Sequence, residues 1–232
     1  SVRVVLQAYP TPDRDLRRFA SQNHRGCEAR VRNFWERELR RGASFALGDS
    51  AVENALRAAS VVLLSCRERR GPGWVPIGGP FQYRDVWLRD GARAVAALAV
   101  AGYTRVAREL AGGLLLFQWP NGAFVSQRGQ LDGTGQALWA FEQAWLRPPA
   151  STRDLARFAD AAVAAEKWFL LQRDLGPRME DSFPRMLPFA DPRDGELTRA
   201  QLVGNDAWAI AGMRSTARLL LAAGRAGEAM DA

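Results

Sequence analysis

The chain has 232 residues (25.6 kDa), of which 47% are apolar and 25% charged; this ordinary globular composition suits one large domain or two small ones. Its net charge of +7 invites a nucleic-acid reading, but Lys167 is the only lysine and the arginines are scattered beside Asp and Glu, where a phosphate-binding surface would gather them into a stripe or motif. Cys27 and Cys66 make no disulfide framework, the single His24 excludes a multi-histidine metal site, and the richest apolar run, Ala94–Ala101, is too short to cross a bilayer. No nucleic acid, membrane, metal or cofactor is therefore expected, although a carbonyl-lined calcium site would leave little trace in a sequence.

Alternating Val2, Val4 and Leu6 make Ser1–Tyr9 a short strand, followed by a turn at Pro10–Asp13. Residues 1–12 are thus expected to be a strand remnant or linker from a preceding β-rich domain, and 13–232 part of a helical one, so that the chain would be a piece of a longer polypeptide. Helical periodicity starts near Cys27, with Val31, Phe34, Trp35 and Leu39 on one face. After a break between Gly42 and Gly48, Asp49 or Ser50 caps a second helix, Ala51–Arg67. Gly71–Pro80 is a turn-rich loop too long for a mere connector.

That loop leads into Tyr83-Arg-Asp-Val-Trp-Leu-Arg-Asp90 and the helix Leu88–Ala101, which Gly102 ends. A ring (Trp87), a cation (Arg89) and a carboxylate (Asp90) fall together at a helix N-terminus, where backbone N–H groups are unpaired and the dipole favours negative charge. The bland alternative is that Asp90 is an N-cap, Arg89 is solvated and Trp87 is core. Arg105–Gln118 is an amphipathic helix, Trp119–Phe124 a turn marked by Pro120 and Asn121-Gly122, and Asp132-Gly-Thr-Gly135 opens the helix Gln136–Leu146. Pro148 and Pro149 stop that helix and Ser151 starts Thr152–Arg173. The irregular Gly176–Gly204 stretch carries Glu180, Asp181, Asp191, Asp194 and Glu196, and Asn205–Trp208 opens the last helix, Ala207–Leu221.

Helices headed by an Asp after a long loop (Asp90, Asp132, Asp206) alternate with helices that follow a short turn. Long loops on one side and short turns on the other predict helical hairpins whose long loops converge at one mouth. Linear helical repeats have short, uniform connections and a recurring consensus, which this sequence lacks. The fold class expected is mainly α, a toroid of helical hairpins.

The segments Tyr83–Tyr103, Gln118 with Gly122–Phe124, Gln130–Trp139, Asp194–Leu197 and Gly204–Met213 resemble the six-hairpin glycosidases, within them the glucoamylase and glycogen-debranching-like enzymes. The resemblance runs from about Ser50 to Gly224 and implies the N-terminal part of an (α/α)6 barrel. It implies that Arg89 and Asp90 bind hydroxyls of the terminal sugar, one as a planar donor fork and the other as a charged acceptor. Trp87 would form part of the sugar platform, and Gln127, Asp132 and Asp206 would line the same mouth; a loop hydrogen bond and N-caps are their bland alternatives.

Glycoside hydrolysis by inversion needs a protonated acid and a base about 6.5–9.5 Å apart. The resemblance places the acid in the loop before the Asn205–Trp208 helix, with Glu196 first and Glu180 and Asp181 after it; a solvated acidic loop is the alternative. The base would belong to a later hairpin outside this chain, so the isolated polypeptide is expected to be inactive or poorly folded and prone to associate through uncovered apolar faces. The partners expected are a carbohydrate substrate of α-glucan type and the missing remainder of the barrel or a second copy. The rival readings are a toroidal phosphorylase or lyase, and a non-catalytic helical scaffold for protein partners.

Overall fold

The computed structural model describes residues 12–21, 23–146, 151–174, 183–191 and 199–231. They are mainly helical, with one two-stranded sheet, and divide into two compact units, Ser1–Ser44 and Phe45–Ala232. The expected strand Ser1–Tyr9 lies outside the described residues.

The first unit holds α1 (Asp13–Ala20) and α2 (His24–Leu39). Acidic Asp13 and Asp15 open α1 and basic Arg17 and Arg18 close it, the order the helix dipole favours. With only Leu16 and Phe19 as large apolar residues, its pattern is too sparse for the sequence reading, which starts helix near Cys27. Asn23 caps α2 by accepting the Gly26 N–H at 2.7 Å, and Glu28–Arg32 forms an i,i+4 ion pair at 2.7 Å.

The second unit opens with α3 (Ser50–Ser65), whose N-cap Asp49 accepts from Ala51 and Val52 N–H. Two strands follow, β1 (Arg67–Arg70) and β2 (Gly73–Pro76), paired antiparallel. This hairpin corrects the sequence reading twice, because the helix stops before Arg67 and the presumed loop after Gly71 begins with a strand. Gly71, at φ +56°, takes the first central position of the two-residue turn, which demands a residue free to adopt positive φ. The hairpin is held from below: Val75 is buried, and a Cβ on Gly113 would overlap the Trp74 carbonyl.

Five longer helices complete the unit: α4 (Leu88–Val100), α5 (Thr104–Leu114), α6 (Gly133–Trp145), α7 (Thr152–Asp174) and α8 (Val203–Ala222). A short α9 (Ala226–Asp231) follows. Leu88, Gly91, Ala92, Val95, Leu98 and Ala99 make the buried stripe of α4, at helical spacing. The helix closes in a Schellman turn, with Gly102 at φ +82° and the Tyr103 N–H reaching the Leu98 carbonyl at 2.8 Å. Gly224 and the Arg225 N–H repeat the device at the end of α8.

Every residue of α6 except Trp139 is buried, as befits a helix enclosed by neighbours. Phe141 lies edge-on to Phe124 and to Phe158 of α7, with ring centroids 5.6 and 5.0 Å apart. The partner of closest approach is α8. A Cβ on Gly135 would overlap the Trp208 carbonyl, and one on Gly212 would lie 2.7 Å from the Gly135 Cα. Further along, Glu142 of α6 accepts from Ser215 at 2.5 Å and Arg218 at 2.8 Å, both of α8. Contact positions rise together on both helices, so α6 and α8 run parallel.

The other directions follow from contacts in the same way. Gly91 near the start of α4 faces Leu114 at the end of α5, and Arg108 of α5 donates to the Ala144 carbonyl near the end of α6 at 3.2 Å. Hence α5 is antiparallel to both, and α4 and α6 share one direction with α8. Their N-termini lie at one end, where the connections are long; the turns after α4 and α8 are short. The helices begin earlier than their sequence signals, at Gly133 for Gln136 and at Val203 for Ala207.

Candidate functional site

The common N-terminal end of α4, α6 and α8 brings together most of the described candidate residues. Trp87 occupies the N-cap position of α4 without a side-chain capping bond, and Arg89 and Asp90 lie in the first turn. The Arg89 guanidinium sits 5.9 Å from the Trp87 ring centroid and its Nη1 stands 4.0 Å from Asp132 Oδ2. Asp132 is the N-cap residue of α6 by position, yet its carboxylate makes no capping bond. That carboxylate instead accepts from Gln136 Nε2 at 2.6 Å, and its side chain is only 16% exposed. The site is therefore a planar cation, a mostly buried carboxylate and an amide, with an indole alongside.

The simple N-cap readings fail for two residues. Asp90 is three residues beyond the N-cap, exposed, and has no hydrogen bond or ion pair among the described residues. Asp132 is spent on a side-chain network rather than on backbone N–H groups. The first-turn demand of α4 is met by another residue: Ser126 Oγ accepts the Leu88 N–H at 3.2 Å.

Gln127 lies in the same loop as Ser126 and donates to the Val86 carbonyl at 3.4 Å, the loop bond expected as its bland alternative. The pair of bonds from Ser126 and Gln127 fastens the segment before α6 to the head of α4. The third long connection joins them through the Asp191 N–H, which donates to the Gly129 carbonyl at 3.2 Å. The three connections thus meet at one end.

Asp206 lies in the first turn of α8 and has a structural task, since its Oδ1 accepts the Leu187 N–H at 3.1 Å. Gln201 holds the same segment, donating to the Phe183 and Leu187 carbonyls and accepting the Phe183 N–H. Asp206 Oδ2 and the neighbouring Asn205 Nδ2 are buried without a hydrogen-bond partner among the described residues, each a cost of about 1–3 kcal/mol unless another group or water meets it. Glu196, Glu180 and Asp181 lie outside the described residues.

Gln136 escaped the sequence reading, as did the indoles of Trp139 and Trp208. Asp132, Gln136 and Trp139 follow i, i+4, i+7 spacing and share a face of α6. Trp139, half-buried, meets Trp208 of α8 edge-on at 5.8 Å. The usable signal was the position of Gln136 one turn after Asp132; it was hidden because the glycines at 133 and 135 read as a loop. No group of three or more His, Cys, Asp or Glu able to hold a metal occurs among the described residues, and no described helix is long and apolar enough to cross a membrane. Comparisons with protein-family models, curated proteins and solved structures give no match.

Proposed function

We propose that the helical unit is the N-terminal part of an α/α toroid of helical hairpins whose mouth binds the terminal sugar of an α-glucan-type oligo- or polysaccharide for inverting hydrolysis. The observation that carries this reading is the Arg89–Asp132–Gln136 network beside Trp87, built from two helix heads and drawn together away from simple capping. A planar donor fork and a shielded acceptor suit vicinal hydroxyls, and an indole suits the C–H face of a pyranose. The parallel row α4, α6, α8, with antiparallel α5 packed against α4 and α6 and long loops at one end only, supports the hairpin architecture. In this reading the acid comes from Glu196, Glu180 or Asp181 and the base from outside this chain.

The test is calorimetric titration of maltose and maltotriose into the wild type and into Arg89→Ala and Asp90→Ala. Millimolar binding abolished in both variants, with folding intact, supports a sugar subsite at the head of α4. Well-folded wild-type protein that binds neither sugar overturns it and favours the scaffold. One observation favours that second reading: Val203, Ile210 and Leu221 lie exposed along α8, an apolar face to which another protein or further hairpins could dock.

A further inference from the structure

We propose that α2 is an interfacial helix that lays its aromatic face on an anionic lipid surface, an inference independent of the functional reading above. Three observations carry it: the helix buries nothing, arginines line both edges of its apolar arc, and the charge of the chain is concentrated around it.

No residue of α2 is buried. Val31 and Phe34 are 57% and 44% exposed, and Trp35 lies edge-on to Phe34 with ring centroids 5.1 Å apart. At about 100° per residue, Cys27, Val31, Phe34, Trp35 and Leu39 fall within an arc of about 140°, wide enough to be a contact face. Arg30 and Arg37, two turns apart, run along one edge of this arc; Arg25 and Arg32, at the same spacing, run along the other. His24, Glu28 and Glu38 share the arc. Arginine offsets both carboxylates, with Arg32 bonded to Glu28 at 2.7 Å and Arg41 paired with Glu38 at 3.0 Å.

The charge decides the kind of partner. Ten arginines against five carboxylates give residues 1–44 a net charge of +5, out of +7 for the whole chain. The expectation of no membrane partner rested on the lack of a spanning run and on arginines weighed over the full length. Neither bears on a helix lying in the plane of a surface. A protein groove grips a narrow seam of side chains and must supply carboxylates one by one. A plane of anionic headgroups meets both arginine rows at once, while the rings and Val31 enter the acyl boundary between them. Arginine stems lie along apolar surface and keep their guanidinium groups at headgroup level.

The test is flotation of the full chain with vesicles of phosphatidylcholine alone, and of phosphatidylcholine with a one-third share of phosphatidylglycerol. We expect the wild type to float only with the anionic vesicles, and less at high salt. Phe34→Ala combined with Trp35→Ala is expected to weaken that binding about tenfold or more. Arg25→Gln with Arg32→Gln is expected to weaken it too, whereas lysine at both positions retains it. Val31→Phe adds apolar area to the same face and is expected to tighten binding, so the proposal does not hang on losses alone. A folded wild type that floats with neither vesicle, or equally with both, overturns it. Anionic binding indifferent to the loss of Phe34 and Trp35 also overturns it, leaving charge attraction alone. Retardation of duplex DNA without flotation would assign the arginines to a nucleic acid, and self-association lost in the ring variant without flotation would assign the face to a second copy; either result overturns the lipid assignment.

Discussion

The Arg89 guanidinium and the Asp132 carboxylate, 4.0 Å apart, join the first turn of α4 to the head of α6. The separation is at the outer limit of an ion pair and Arg89 is partly exposed, so the contact contributes at most about 1 kcal/mol to folding. Gln136 bonds the same carboxylate more closely, at 2.6 Å. The pair therefore holds its charges in place with little stake in stability. Arg89→Ala and Asp132→Asn are expected to lower maltose affinity at least tenfold while shifting the denaturant midpoint only slightly. Large losses of stability in both variants, measured by chemical denaturation, would mark the network as structural.

The crossing of α6 and α8 has no room for a side chain. Gly135→Ala is expected to destabilise the protein by about 3 kcal/mol or more, since the new methyl meets the Trp208 backbone rather than a flexible side chain. Gly204→Ala, with nothing near its Cβ position, is the control and is expected to be neutral or slightly stabilising. Equal melting temperatures for the two variants would refute the tight crossing.

Glu142 and Arg218 are unequal partners. The Glu142 side chain is 7% exposed and that of Arg218 60%. Arg218→Met leaves a buried carboxylate with Ser215 as its remaining donor, an expected cost of about 2 kcal/mol or more. Glu142→Gln frees the guanidinium to water and keeps an acceptor for Ser215, an expected cost of about 1 kcal/mol. A double-mutant cycle measures the coupling, and the reverse order of costs would contradict this account.

At the C-terminal end, Arg225 bonds Glu228 through Nε and Nη2 and Asp160 of α7 through Nη1, each at 2.6 Å. These hydrogen bonds hold the Glu228 carboxyl below the ordinary glutamate range, and nearby Lys167 adds to the effect. A lowered folded-state pKa gives stability that is present above the unfolded-state value and disappears as pH falls through the folded one. Protection factors of the α9 amides, with the intrinsic pH dependence of exchange divided out, are therefore expected to fall on acidification through and below the ordinary glutamate range, and Arg225→Ala to abolish that dependence. Protection in α9 that ignores both pH and the substitution would contradict the anchoring role.

The sequence displayed the helices whose apolar residues recur at helical spacing, such as α4 and α5, and the turns that demand glycine, such as Gly102. It concealed elements whose local composition serves a distant partner. Gly133-Thr-Gly135 reads as a turn because glycine weakens helices, yet these glycines are helical because Leu88 and α8 press against them. The strand Arg67–Arg70 shows no alternation of apolar residues; its pairing with a strand seated on α5 decides its state. In the site, Trp87, Arg89 and Asp132 could be nominated from residue type and position. The role of Gln136 needed the corrected start of α6, and the task of Asp206 depends on a backbone N–H in a distant loop.

The parallel union of α6 and α8 also has a consequence in time. Because α7 intervenes in the chain between α6 and α8, α6 emerges with most of its circumference apolar and must wait for α8 to cover it. At roughly 5–20 residues per second of synthesis, the delay is several seconds, long compared with collapse of a short chain. During that interval α4 and α5, and then α7, shelter it, while the face that α8 will cover stays open. Synthesis that pauses between α6 and α8 should leave the nascent chain prone to association through the uncovered face of α6.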